Sequence, residues 1–140
     1  MSVPGTFTEK EIAKGHAFLV SNLGTCRIVK GKTHGQPLVT YGDLADHMGW
    51  TIEDQFDGDR MGNFSGAISH MEMDLGGPML SACVVRKESN GYPGNPGKGF
   101  YEFGMIVGKL ASRENVNPDG SREMAFWTSE VEACVAKYGS

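Results

Sequence analysis

Residues Thr8–Gly24 read TEKEIAKGHAFLVSNLG, and the helical pattern of this stretch recurs in several later segments of the chain. Thr8 and Glu11 have the spacing of a capping box, in which each side chain accepts a hydrogen bond from the other residue's backbone amide. Apolar residues then recur at helical spacing until Gly24, a residue type that commonly ends helices. The stretch therefore predicts an amphipathic helix, and similar patterns further along indicate a helix-rich chain.

Four more segments have helical patterns. Thr40 and Asp43 mark the start of a short helix that Gly49 ends. Apolar residues from Met61 to Leu75 fall on one face of a longer helix, which a Gly-Gly-Pro sequence stops. Two closing helices are predicted from FYEFGMIVGKL and SREMAFWTSEVEACVAKYG, residues 100–110 and 121–139.

Two other segments indicate strands. Residues 26–39, CRIVKGKTHGQPLV, alternate weakly and contain turn residues, so they predict a short strand or a strand pair joined by a turn. Residues 79–85, MLSACVV, end in two valines and predict a further strand. The chain is therefore expected to form a single α+β domain over residues 1–140, helix-rich and winged-helix-like, with a small antiparallel sheet.

The composition is typical of a globular protein, with 39% hydrophobic and 21% charged residues. No apolar run approaches the roughly 20 residues that a membrane-spanning helix needs. The N-terminal sequence MSVPGTFTEKEI lacks the basic and apolar segments of a secretory signal. We therefore expect a cytoplasmic protein without a membrane partner.

The cysteines and histidines do not predict a metal or a disulfide framework. Cys26, Cys83 and Cys134 are odd in number, far apart and outside any CxxC pair, so reduced and mostly buried thiols are expected. The four histidines lack HxxxH or HExxH spacing. No metal site and no cofactor is predicted.

No catalytic residue is predicted either. Glu72 and Asp74, and the carboxylates from Glu53 to Asp59, are interpreted as a solvated acidic surface rather than as paired acids and bases. Ser81 lacks the GxSxG sequence of a nucleophile elbow. A small hydrolase stays open as an alternative.

The net charge of the chain affects whether nucleic acid is a suitable partner. The net charge of −4 opposes non-specific binding to nucleic acid, because such binding depends on Lys and Arg neutralising phosphates. Cations nevertheless gather in residues 27–32 and again at Arg86, Lys87 and Lys98. A local positive face on an acidic chain is therefore expected.

One resemblance rests on the order of segments from Thr40 to Phe100. The sequence Tyr-Gly-Asp-Leu-Ala at residues 41–45, a second helix, Pro78, two valines and a Gly-rich turn follow one another. This order is similar to the C-terminal DNA-binding domain of O6-alkylguanine-DNA alkyltransferases and alkyltransferase-like proteins. The resemblance implies nucleic-acid contact through Tyr41, with Arg60 near an extruded base. The family's Pro-Cys-His-Arg motif, with Trp for Cys in the alkyltransferase-like branch, is absent because Met-Leu-Ser follows Pro78, so alkyl transfer is not expected.

A second resemblance covers residues 41–130. The patterns Tyr-x-x-Leu-Ala, Pro-x-Leu-Ser-x-x-Val-Val, Pro-Gly-x-Gly-Phe and Phe-Trp-x-x-Glu are similar to those of small uncharacterised bacterial and phage proteins. This resemblance implies a shared fold and no particular activity.

The segment GYPGNPGKG, residues 91–99, is either a connecting loop or an anion site. Glycine tolerates positive φ, so Gly94, Gly97 and Gly99 are expected to form a nest of backbone amides for a phosphate. The spacing does not match a P-loop. Neighbouring hydroxyls, cations, aromatic faces and an acid complete a predicted ligand site: Ser81, Arg86, Lys87, Tyr92, Gly94, Gly97, Lys98, Gly99, Tyr101 and Glu102.

Two functions follow from these observations. The favoured hypothesis is a nucleic-acid-associated module that contacts DNA or RNA through Tyr41 and Arg60, with the Gly-rich loop as a wing. The alternative is a phage-type protein that binds and sequesters a free nucleotide or nucleotide signal through the same loop. Segment order favours the first hypothesis and net charge favours the second.

Overall fold

The computed structural model describes residues 1–87, 94–110 and 121–140. A helix-rich α+β fold is confirmed: short strands accompany long helices, and a 3-10 turn at Leu80–Cys83 precedes the fourth strand. The elements in chain order are α1 Glu9–Leu23, β1 Arg27–Val29, β2 Lys32–His34, β3 Val39–Thr40, α2 Tyr41–Met48, α3 Gln55–Asp74, β4 Val84–Val85, α4 Lys98–Ile106 and α5 Ser121–Tyr138.

Local sequence signals determine where the first two helices start. The Thr8 amide donates to Glu11 Oε1 at 2.9 Å, and the Glu11 amide donates to Thr8 Oγ1 at 3.1 Å. Thr40 and Asp43 repeat this capping box at α2, with both hydrogen bonds at 3.0 Å. Gly49 then ends α2 in the left-handed conformation, at φ +79°. Both predicted capping signals are confirmed.

The strands form two separate pairs. β1 and β2 are an antiparallel hairpin in which Arg27 faces His34 and Val29 faces Lys32, as the strand-pair prediction for this segment required. β3 pairs with β4 in parallel, with Val39 opposite Val84. The parallel pair was not predicted, because it joins residues far apart in the sequence.

Two predicted boundaries are wrong. The segment 79–85 is a strand only at Val84–Val85, because side chains rather than a neighbouring strand satisfy the backbone before it. The Ser81 amide donates to Ser69 Oγ at 2.7 Å, and Trp127 Nε1 donates to the Ala82 carbonyl at 2.8 Å. α3 begins earlier than predicted, at Gln55, because the Asp54 carboxylate caps it by accepting from the Asp57 amide.

The core consists of two clusters of buried side chains. The larger one joins α1, α2 and α3 to the C-terminal part of α5, and it includes Leu19, Leu44 and Phe64. The smaller one lies between α4 and α5 and includes Phe100 and Tyr101. Within the described residues, we find no helix whose length and apolar character would let it cross a membrane.

A buried carboxylate connects three helices. Glu72 of α3 is fully buried, and its oxygens accept from Lys137 Nζ at 2.5 Å, Tyr138 Oη at 2.5 Å and, on the same oxygen as Tyr138, contact His16 Nε2 at 2.7 Å. Burial acts to raise the pKa of Glu72, but the hydrogen bonds from Lys137, Tyr138 and His16 outweigh it and lower the pKa. The prediction of a solvated Glu72 is therefore wrong. Gly77 leaves the room for this carboxylate, because a Cβ there would lie 1.7 Å from Glu72 Oε2.

Candidate functional site

An open cleft of about 1220 Å³ lies where α2, α3 and α4 meet. One wall is the N-terminal half of α3, and the opposite wall is the N-terminus of α4 with residues 86 and 87. Most of its lining residues are polar, charged or glycine, and Ile52, Phe100 and Phe103 are its apolar side chains. Concave sites are where proteins usually bind small ligands. The cleft therefore provides the starting point for a functional assignment.

The cationic wall consists of Arg86 and Lys87. Both residues line the cleft and are exposed, and in residues 1–87, 94–110 and 121–140 neither side chain is found in an ion pair. The strand β4 ends directly before them, and the Arg86 backbone is fixed because its amide donates to the Asn95 carbonyl at 3.0 Å. Among the described residues, these two cations at the cleft have no ion-pair partner.

The N-terminus of α4 opens on the same wall. Its N-cap is Gly97, and no side chain caps it, whereas Thr8, Thr40 and Asp54 cap α1, α2 and α3. An uncapped helix start presents amides and a partial positive charge to an anion. Gly97 and Gly99 both line the cleft.

Tyr41 connects two helices that line the cleft. Its hydroxyl oxygen accepts from the Gly97 amide at 3.2 Å, so the first residue of α2 touches the start of α4. Burial raises the pKa of Tyr41, while the Gly97 amide, the Ser65 hydroxyl and the Arg86 charge act to lower it. The phenol is therefore neutral at physiological pH and retains its proton.

A pair of serines lies beneath the cleft. Ser81 lines it but is 4% exposed, and its Oγ accepts from Ser69 Oγ at 2.6 Å. Because Ser69 supplies the hydrogen of that bond, the hydroxyl hydrogen of Ser81 is not used in the pair. Ser81 therefore lines the cleft from a buried position.

The α3 side of the cleft is acidic. Glu53, Asp54 and Asp59 are exposed and line the cleft near the start of α3, and the exposed Glu102 lines it from the second turn of α4. Asp54 caps α3, and the Asp59 carboxylate accepts from Gln55 Nε2 at 3.0 Å, so these two carboxylates have local structural partners. Glu53 and Glu102 are the acids best placed to accept hydrogen bonds from a ligand.

A row of glycines on α3 was missed in the sequence. Gly58, Gly62 and Gly66 are spaced by four residues, so they share one face of the helix, and all three line the cleft. A Cβ at Gly62 or Gly66 would meet nothing within 4 Å. Glycine inside a helix costs about 1 kcal/mol relative to alanine, and the four-residue spacing was the signal that could have identified this face.

The predicted glycine nest is wrong in its geometry. Gly97 has φ −66°, and Gly99 is in the first turn of α4, so neither has the left-handed conformation expected of them. The Gly94 amide donates to the Arg86 carbonyl at 2.6 Å and is already paired. Tyr92 and the side chain of Lys98 lie outside the described residues. The backbone amides of a helix start replace the nest.

Two further predicted contacts do not reach the cleft. Tyr101 is fully buried in the smaller core cluster, so it offers no face for stacking. Arg60 donates to the Val3 carbonyl at 3.0 Å and lies 4.1 Å from the centroid of the Phe56 ring. Arg60 holds the N-terminal segment against α3, and the structure does not support its assignment beside an extruded base.

Metal ligands and relatives give no further guidance. In the part of the chain that the structure describes, no group of three or more His, Cys, Asp or Glu side chains is arranged to hold a metal ion. Comparisons with protein-family models, with curated proteins and with solved structures find no match. The cleft itself is therefore the feature from which a function can be inferred.

Proposed function

We propose that this protein binds a nucleotide in the cleft, with the phosphate at the start of α4 and the base and sugar toward the acidic side. The observation that carries the proposal is the convergence of the uncapped α4 N-terminus with two cations, Arg86 and Lys87, that have no described counter-charge. Backbone amides and cations together are the usual ligands of phosphate in proteins.

The remaining lining suits the rest of a nucleotide. Ionised carboxylates accept hydrogen bonds only, so Glu53 and Glu102 fit the amino groups of a base or the hydroxyls of a ribose. Phe103 is half-buried and lines the cleft, where it gives a base an apolar surface. Stacking of a base on an aromatic ring contributes about 1–3 kcal/mol.

The acidic side also favours a free nucleotide over a duplex at this cleft. A duplex presents phosphates along its whole length, and the carboxylates of Glu53, Asp59 and Glu102 would repel them. A mononucleotide has its charge at one end, which matches a cleft that has cations at Arg86 and Lys87 and carboxylates elsewhere along its lining. Nucleic-acid association is a second proposal, and it rests on a different surface, the β1–β2 hairpin.

Thermal unfolding with defined ligands tests the proposal. The four nucleoside monophosphates are compared with the corresponding nucleosides, with ribose 5-phosphate and with inorganic phosphate. A ligand at a hundredfold excess over its Kd stabilises the folded state by about 2.7 kcal/mol. We expect this stabilisation from at least one monophosphate and a smaller one from its nucleoside and from the two base-free phosphates.

Matched variants locate the ligand. The double change Arg86→Gln and Lys87→Gln removes charge-assisted hydrogen bonds of about 1.5–3 kcal/mol each, so affinity should fall by at least about tenfold. Lys10→Gln with Lys14→Gln removes similar charge from exposed positions of α1 and should leave the affinity unchanged. Gly99→Val fills open space at the start of α4 and should block binding without unfolding the protein.

The proposal fails on either of two results. One is that no monophosphate shifts the unfolding temperature at any concentration up to the millimolar range. The other is that the Arg86 and Lys87 variant binds as tightly as the wild type.

A further inference from the structure

The β1–β2 hairpin is a basic and exposed surface on an acidic protein. All six residues of β1 and β2 are exposed. Residues 27–34 contain three Lys and Arg residues and no Asp or Glu, whereas the rest of the chain contains ten and 17 respectively. The hairpin therefore has a net charge of +3, and the remainder of the chain has −7.

The pairing register gathers the charges on one face. Residues opposite each other in an antiparallel pair point to the same side, and the side alternates along each strand. Arg27 with His34, and Val29 with Lys32, therefore share one face. In the part of the chain that the structure describes, none of the basic residues of the hairpin is found in an ion pair. This face is therefore cationic, and no described carboxylate neutralises it.

The turn adds a cation at a conformational cost. Lys30 and Gly31 join the two strands with φ +53° and φ +78°, the conformation of a type I′ turn. Asn, Asp and Gly are the residues that this turn favours at its first position, and Lys30 is the one non-glycine residue with positive φ among the described residues. A strained position occupied by an unfavourable residue is a sign of function rather than of folding.

Hydrogen bonds anchor the base of the hairpin to the rest of the protein, whereas its tip, Lys30-Gly31, is exposed. The Cys26 carbonyl accepts from the Ser140 amide at 2.8 Å and from Ser140 Oγ at 3.2 Å. On the other side, Asn22 Nδ2 donates to the Gln36 carbonyl at 3.0 Å. A two-stranded ribbon is only marginally stable alone, so these anchors present a charged ribbon away from the body of the protein.

From these observations we infer that the β1–β2 hairpin binds the phosphate backbone of a nucleic acid. Two-stranded ribbons fit the grooves of nucleic acids, and closely spaced cations gain affinity by releasing counterions from a repeating anion. The hairpin has no Trp, Phe or Leu, the residues that anchor interfacial segments in a bilayer. This inference goes beyond the nucleotide cleft and involves none of its residues.

Fluorescence anisotropy with labelled oligonucleotides tests the inference. A single strand and a duplex of mixed sequence are titrated between about 50 and 200 mM salt. We expect binding at the low salt concentration that weakens as salt rises. Lys30→Gln with Lys32→Gln should weaken binding and reduce the slope of log K against log salt by about 2 in magnitude, since each phosphate contact contributes about 1. Lys10→Gln with Lys14→Gln removes the same charge from α1 and should leave the slope unchanged.

A third variant separates charge from folding. Lys30→Asn removes the cation and introduces a residue that the type I′ turn favours, so the unfolding temperature should stay the same or rise while oligonucleotide binding weakens. Absence of binding at low salt, or an unchanged slope for the Lys30 and Lys32 variant, would overturn the inference. Binding to anionic phosphatidylserine vesicles without binding to either oligonucleotide would also overturn it.

Discussion

The hydroxyl of Tyr41 and the backbone amide of Gly97 lie 3.2 Å apart and join the start of α2 to the start of α4. These residues are 56 positions apart in the sequence, and both line the cleft. Gly97 is the N-cap residue of α4, and its own amide donates to the phenol, so the position of the α4 N-terminus depends on Tyr41.

Tyr41→Phe should therefore affect both stability and binding. Loss of this hydrogen bond is expected to lower the free energy of unfolding by about 1 kcal/mol and to weaken nucleotide affinity, because α4 loses its attachment to α2. Urea denaturation and calorimetric titration measure the two effects. Tyr138→Phe is the matched control, because it removes a hydroxyl hydrogen bond to Glu72 away from the cleft lining. Equal affinities of the two variants would contradict the assigned role of Tyr41.

Gly62→Ala and Gly66→Ala should stabilise the protein while impairing the cleft. Each change gains up to about 1 kcal/mol of helix propensity, and a Cβ at either position meets nothing within 4 Å. The same methyl groups project into the proposed nucleotide site. A rise in unfolding temperature together with a higher Kd is expected, and unchanged Kd values for the double variant would argue that the ligand does not approach this face of α3.

Glu72→Gln should lower stability and flatten its dependence on pH. The pKa of Glu72 is lowered from its ordinary value of 4.5, so its contribution is present above that value and is lost as pH falls through the folded-state pKa. The pKa values of Lys137 and Tyr138 are raised, from 10.5 and 10.0, mainly by the hydrogen bond to Glu72 and by burial respectively. Their contribution is present below those values and is lost as pH rises through the folded-state values.

Urea denaturation from acid to alkaline pH checks this prediction. Near neutral pH the variant should lose about 1.5–3 kcal/mol, the range for hydrogen bonds to a charged group. The loss should shrink toward both extremes, where the wild-type network is itself protonated or deprotonated. A constant difference across the whole pH range would show that the charge of Glu72 does not matter.

The cysteines should be chemically silent in the folded protein. Cys26, Cys83 and Cys134 are all buried, and the pKa of Cys134 is raised by its hydrogen bond with Cys83 and by burial. A thiol reagent should label none of them until a denaturant is added. Cys83→Ser should lose some stability and keep nucleotide affinity, whereas methyl transfer from O6-methylguanine to any of the three would overturn this prediction.

Features encoded by neighbouring residues could be predicted from the sequence. The capping boxes at Thr8 and Thr40 involve residues three positions apart, so the pattern contains the whole interaction. The β1–β2 hairpin could be predicted for the same reason, because its two-residue turn, Lys30-Gly31, joins strands that are adjacent in the sequence. Arg86, Lys87 and Ser81 were grouped in the prediction because they are close along the chain, and all three line one cleft.

Features that depend on distant partners could not be predicted. Leu80–Cys83 has strand-like composition, but Ser69 and Trp127 satisfy its backbone. Tyr101 is an aromatic residue of the type that stacks on bases, yet its position on α4 places the side chain in the core. The carboxyl of Glu72 looks like any surface acid until the partners contributed by α1 and α5 are known.

The hydrogen-bond partners of Glu72 also bear on how the chain folds while it is being synthesised. Lys137 and Tyr138 follow Glu72 by 65 and 66 residues, so a nascent chain that has completed α1 and α3 still lacks two of the three partners of that carboxylate. Burying it at that stage would leave a charge without compensation. We therefore expect the packing of α1 against α3 to be completed only after the last helix has formed, so a chain arrested on the ribosome before α5 emerges is expected to stay open to proteases.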